Sequence, residues 1–371
     1  MIDISLLTEA ASGGSFGGYN SYTPAMEFTG DLDESTFLSA RAAILTEAVG
    51  ISEFCHQSEE ILTEAVMNDL DRAVVISENA FDTVIQKTKK LIDKIIQVIK
   101  GLFNKVKAFF YTLTGKTDKW VKLIRPRAKA ASQRKSKGEI EVNMHDWNLD
   151  RIGKALDETK NYTNNIKNED IAKIVADVAN KANSDGTEMD ADAIDKILID
   201  EFEIADEEGT KVSDLSQETL KSLLNNVWNT MSGGEKTTIT KSIDSMINAV
   251  DGSKKLKSSL DKALTAAESA YQAAKKKLDN ATTDFKKTDN VSKMYSDEMK
   301  KGESEDATKK RINTTKNQID MYNGYGRALK FEADFVTGTA QVAIKSIKTM
   351  CSEYMGAVNR FVGVRDAAVN K

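Results

Sequence analysis

LDKALTAAESAYQAAKKKLDNATTDF, residues 260–285, sets an apolar or small side chain at Leu260, Leu264, Ala267, Tyr271, Ala274, Leu278, Ala281 and Phe285. The steps alternate between four and three. With 3.6 residues per turn, that spacing draws one continuous seam along a helix that packs lengthwise on another. The alanines on it let a partner backbone come close. A second run repeats the pattern at Leu329, Ala333, Val336, Ala340, Ala343, Ile347, Met350, Tyr354, Ala357 and Phe361. Residues 288–305 between them are polar and contain Gly302, so the two helices are expected to fold back as an antiparallel hairpin. The same seam serves pairing within one chain or between chains, which leaves an oligomer open.

Such a hairpin needs a third helix to cover its remaining apolar edge, and one earlier segment has the pattern for it. Ile85, Ile92, Ile99, Val106 and Leu113 recur every seven residues. Thr88, Ile95, Leu102 and Phe109 follow the same period, and Ile96, Phe103 and Phe110 widen the stripe. The opposite face holds Lys87, Lys89, Lys90, Lys94, Lys100, Lys105 and Lys107, so the helix is amphipathic. Gly115 reads as its C-cap. Residues 125–137, with Arg125, Arg127, Lys129, Arg134, Lys135 and Lys137, read as a basic linker beyond it.

The expected fold class is therefore all-α: long amphipathic helices with a C-terminal antiparallel coiled-coil hairpin and a smaller acidic helical middle domain. The whole chain of 371 residues has two prolines, Pro24 and Pro126, which leaves long helices uninterrupted. Charged residues make up 29% and aromatics 7%, a mix that suits solvated helices. Four parts are expected: an acidic N-terminal prosegment (1–64), a long basic helix with its linker (65–137), an acidic helical domain (138–250) with Trp147 and Trp228, and the hairpin (251–371). Within the first part, residues 11–30 are rich in Gly and Ser and should be flexible, while residues 35–49 and 52–66 look like short helices. Turns are expected at residues 183–186, 207–209 and 232–234.

No run of eighteen apolar residues exists, so no transmembrane helix is expected. The N-terminus carries Asp3 and no basic stretch, which argues against a secretory signal. Cys55 and Cys351 match no metal spacing and read as two free thiols. Charge is strongly segregated beneath the formal net of −5. Residues 1–70 carry 12 acidic and one basic residue, residues 71–137 carry 5 and 17, and residues 138–210 carry 20 and 7. Alternating blocks of this kind invite pairing within or between molecules.

No catalytic set can be assembled, so an enzyme is not expected. Gly115-Lys116-Thr117 has the ending of a phosphate-binding loop, but the glycine required five residues earlier is Phe110. Residues 232–236, Ser-Gly-Gly-Glu-Lys, resemble the signature loop of ATP-binding cassette proteins without the nucleotide loop it works beside. Residues 185–195 are acidic but lack the ligand alternation and closing Glu of a calcium loop. His56 and His145 are too few for a zinc site or a triad. No cofactor or metal is expected.

The basic helix over residues 84–111 admits three readings. It packs on the coiled coil and leaves a solvated lysine face; or it contacts DNA phosphates without reading sequence; or it lies on a membrane surface through Phe103, Phe109, Phe110 and Trp120. The positions that would touch DNA or a capsid lining are Lys87, Lys90, Lys94, Lys100, Lys105, Lys107, Arg125, Arg127, Arg134 and Lys135. A coiled-coil adaptor with a partner on the acidic middle domain is a further alternative.

The tetrapeptide Leu-Thr-Glu-Ala occurs at residues 7–10, 45–48 and 62–65, and two copies extend to an identical hexapeptide, Ile-Leu-Thr-Glu-Ala-Val. A core needs a spacing, not a spelling, so the recurrence points to something that reads the letters. These sites resemble those cut by the prohead proteases of large contractile-tailed bacteriophages. That family cleaves after Glu with Leu or Ile two residues before it, commonly ahead of a small residue. The matching bonds here join Glu9 to Ala10, Glu47 to Ala48 and Glu64 to Ala65. The resemblance covers only the N-terminal segment. It implies a virion setting, assembled in the host cytoplasm, with that protease and other virion proteins as partners; its substrates are capsid, scaffold-core and internal head proteins. Residues 1–64 hold 11 acidic residues and one basic one, so cutting after Glu64 would turn the net charge from −5 to +5.

Overall fold

The computed structural model describes residues 70–134, 138–168, 171, 173–178, 189–205, 211–299 and 305–363. Its elements are α1 (Leu70–Arg134), β1 (Glu139–Met144), α2 (Leu149–Asn168), α3 (Ala191–Glu201), α4 (Gln217–Ser232), β2 (Thr237–Ser242), α5 (Ile243–Gly252), α6 (Leu256–Met299) and α7 (Glu305–Val362). The fold is all-α with one two-stranded antiparallel ribbon, in which Val142 pairs with Ile239.

α1 forms because its apolar stripe has a surface to meet. Ile85, Ile92, Ile95, Ile99, Val106 and Leu113 are buried, and the stripe continues through Trp120, Val121, Ile124 and Ala128. The helix therefore runs past its expected C-terminal end. Gly115 is no C-cap, and the expected basic linker is helical as far as Arg134. Pro126 removes the amide that would bond the carbonyl of Lys122. Lys122, Leu123 and Pro126 all lie on the exposed side, so that carbonyl faces water and the packed side continues unbroken.

α6 runs antiparallel to α1 along a ladder of ion pairs, Lys89 with Asp279 (2.7 Å), Asp93 with Lys275 (2.6 Å) and Lys100 with Glu268 (3.4 Å), continued by Asp118 with Lys254 (2.6 Å) in the short turn before α6. α7 runs parallel to α1, with Trp120 Nε1 donating to Asn359 Oδ1 at 2.9 Å. Across the hairpin, the Tyr271 hydroxyl donates to the Leu329 carbonyl at 2.9 Å. The third helix expected to close the hairpin is thus α1, and among the described residues α6 and α7 each pack more on α1 than on each other.

From Met321 to Ala340, every residue of α7 except Arg327 is buried. α1 and α2 to α6 all pack around it. Glycine makes the close approaches possible. A Cβ on Gly324 would collide with Ile194 and Leu198 of α3, and one on Gly338 would lie 2.8 Å from two carbons of Leu224 on α4. The acidic middle segment supplies α2 to α5 and the ribbon, and its apolar residues join the same core as the long helices. Local signals start and stop these helices. Asp190 caps α3 by accepting from the Ala193 amide at 2.8 Å, and Ser216 caps α4 through the Thr219 amide at 3.2 Å. Gly233 ends α4 at φ 77°, in the turn expected at residues 232–234. The turns expected at residues 183–186 and 207–209, the short helices at 35–49 and 52–66, and Cys55 lie outside the described residues.

Candidate functional site

The basic face of α1 divides into two flanks. One flank is spent inside the fold: Lys89 and Lys100 pair with α6, and Arg125 reaches Asp251 at 3.1 Å and Asn248 at 3.3 Å on α5. Lys254 bridges Asp118 and Asp251, and these hydrogen bonds hold its ammonium above the ordinary lysine range. Lys87, Lys94 and Lys105 are half-buried and engaged.

The outward face meets water. Lys90, Lys119, Lys122 and Lys129 lie on it, and they, Lys107 and Arg127 are exposed and make no ion pair among the described residues. Tyr111, at 86% exposure, stands among them, and Gly101 and Gly115 keep the helix surface low beside it. Between residues 94 and 133 the only acid of α1 is Asp118, already held by Lys254. Of the residues expected to touch DNA or capsid, Lys90, Lys107 and Arg127 are therefore exposed without an ion pair among the described residues; Lys90 faces straight out, Lys107 stays on the α6 side of the helix and Arg127 turns to the far side. The side chain of Arg134, Lys135 and the residues of all three Leu-Thr-Glu-Ala bonds (Glu9, Ala10, Glu47, Ala48, Glu64, Ala65) lie outside the described residues.

The apolar side that the membrane reading requires is inside the protein. Phe110 and Trp120 are buried, and Phe103 and Phe109 pack partly on the same core. To lie on a bilayer this way, α1 would have to leave its partners. Among the described residues, no helix is long and apolar enough to cross a membrane.

A second cluster escaped the sequence reading. Glu353 of α7 accepts from His145 Nδ1 (3.0 Å), Trp147 Nε1 (2.6 Å), Lys236 Nζ (2.8 Å) and the His145 amide (3.3 Å). Burial pushes its carboxyl up, yet the bonds from Lys236, Trp147 and His145 prevail and hold it below the ordinary range. Trp147 and Trp228 meet edge to face at 5.8 Å, with Lys345 over the Trp228 ring at 4.9 Å. Tyr354 donates to the Trp147 carbonyl at 3.0 Å. The carboxylate is fully subscribed, and no Ser or Cys among the described residues bonds the imidazole. The cluster clamps the ribbon and α4 to α7. Glu353 lies 117 residues from Lys236 and 206 and 208 residues from Trp147 and His145, so no local motif announces the cluster.

No protein-family model, curated protein or solved structure matches this chain. The remaining motif fragments resolve locally. Gly115-Lys116-Thr117 is a turn of the α1 helix. Lys236 serves Glu353, Asp190 caps α3, and Asp195 takes Arg327 Nη2 at 2.6 Å. No group of three or more His, Cys, Asp or Glu able to hold a metal occurs among the described residues. Cys351 is buried beside Ser253 Oγ at 3.6 Å, and burial pushes its thiol up to about 12.

Proposed function

We propose that this chain is a non-enzymatic virion structural or internal head protein of a tailed bacteriophage, trimmed at its N-terminus during head maturation. The observation that carries this is the repeat itself: Leu-Thr-Glu-Ala occurs three times within residues 7–65, each copy with Leu two residues before a Glu–Ala bond, in the segment that holds 11 acidic residues against one basic one. Cleavage after Glu9, Glu47 or Glu64 leaves the body from α1 to α7 whole.

Trimming also supports a role for the charge. After a cut at Glu64 the remaining chain carries a net charge of +5, and the exposed cations of α1 are suited to phosphates of packaged DNA or to an acidic capsid lining. Evenly spread lysines neutralise phosphates without reading bases. Intact-mass measurement of the protein from mature particles tests the reading: chains starting at Ala65, Ala48 or Ala10 are expected, and a full-length chain there would overturn it.

A further inference from the structure

On its inner flank α1 satisfies its lysines with carboxylates from an antiparallel neighbour, Asp279 and Glu268 of α6. On its outer flank Lys90, Lys119, Lys122 and Lys129 have no such neighbour among the described residues. Residues 1–64 hold 11 acidic residues against one basic one, among them Asp31, Asp33, Glu34, Glu59, Glu60 and Glu64. They join the body where α1 begins. We propose that in the uncut chain residues 1–64 bind along the outer flank of α1, covering its cations until cleavage releases them.

Reach does not limit this. Lys129 lies about 90 Å along α1 from Leu70 at 1.5 Å per residue, and 64 extended residues span roughly 210 Å. Each exposed ion pair contributes only about 0–1 kcal/mol. Binding therefore needs many pairs together with the tether, which holds the segment at an effective concentration of the order of millimolar. Cutting after Glu64 removes the tether, so the cover leaves without any change in the helix itself. The contact is also salt-sensitive, because exposed charges are screened over about 10 Å at 0.1 M salt.

This rests on reading that flank as the binding face, and two measurements keep the ideas apart. Carbodiimide cross-linking of the full-length protein at low salt, mapped by mass spectrometry, tests the cover. Carboxylates of residues 1–64 should couple to Lys90, Lys119, Lys122 and Lys129 at least about fivefold more than to the exposed Lys262 and Lys276 of α6, and the excess should fade as salt rises. Absent or evenly spread cross-links overturn the cover. A full-length variant with an inserted site-specific protease sequence after Glu64 supplies the second arm, duplex DNA of arbitrary sequence being the probe. Tighter binding after cutting supports the cover and the DNA face together. Cross-links on the flank without any DNA binding after cutting leave the cover standing and remove DNA as the target.

Discussion

α1 and α7 are both longer than fifty residues and run side by side, yet they meet water in opposite ways. α1 buries one stripe and keeps a charged flank outside. α7 is enclosed for twenty residues with a single half-exposed position, although that stretch includes Asn323, Lys330, Glu332, Asp334, Thr337 and Thr339. On α1, apart from Thr88 and Thr117, polar residues keep out of the buried stripe; on α7 they do not. A polar residue signals exposure only when the helix has a free side to turn.

That contrast is easiest to break by truncation. Leu329→Ala on α7 should cost about 2–5 kcal/mol, while Leu123→Ala, half-exposed on α1, should stay within about 0.5 kcal/mol; urea unfolding of both measures the gap. Equal losses would mean that α7 is not the enclosed helix. Adding one methyl probes the same enclosure from the other direction. Gly338→Ala must displace Leu224 and should cost about 1–3 kcal/mol, visible as a lower thermal midpoint.

Glu332 sharpens the comparison through pH. Both its carboxyl oxygens are buried without a hydrogen-bond partner, and burial pushes its carboxyl well above the ordinary value of 4.5. Below that value the carboxyl is protonated in folded and unfolded chains alike, so it carries no ionisation penalty. As pH rises past it, the unfolded chain releases the proton first and stability falls until the folded carboxyl also ionises. Glu332→Gln should therefore gain on the order of 1 kcal/mol over the parent at pH 7, with the gain shrinking towards pH 4. A gain independent of pH would show that the carboxyl is not held neutral. The smallest effect belongs to the outside of α1. A Cβ on Gly115 meets open space, so Gly115→Ala should stabilise by about 0.4–1 kcal/mol in the same unfolding assay.

Much of the frame was legible in the sequence. The 4-3 seams, the hairpin order and the third helix follow from spacing alone, because lengthwise helix packing repeats with the helix period. The ribbon was legible too, though read as helix: Glu139, Glu141 and Asn143 alternate with Ile140, Val142 and Met144 at the period of a strand. Gly115 misled because local preference was overridden by the buried row of Trp120, Ile124 and Ala128. Of the basic positions, the pattern identified the face but not which lysines α6 would neutralise. That selection depends on Asp279 and Glu268, distant in sequence. The same distance hid the Glu353 clamp, which no spacing rule reaches.

All-helical proteins usually fold fast because their contacts are local. Here the centre of the core is a helix whose neighbours were made long before it: Trp120 waits for Asn359, 239 residues on, and Trp147 for Glu353, 206 on. Until α7 docks, α1 holds an apolar stripe with half its lining missing. The enclosed helix therefore sets the tempo, and the chain should fold with the slowness of a β-sandwich, exposing Ile85 to Leu113 to unwanted association meanwhile.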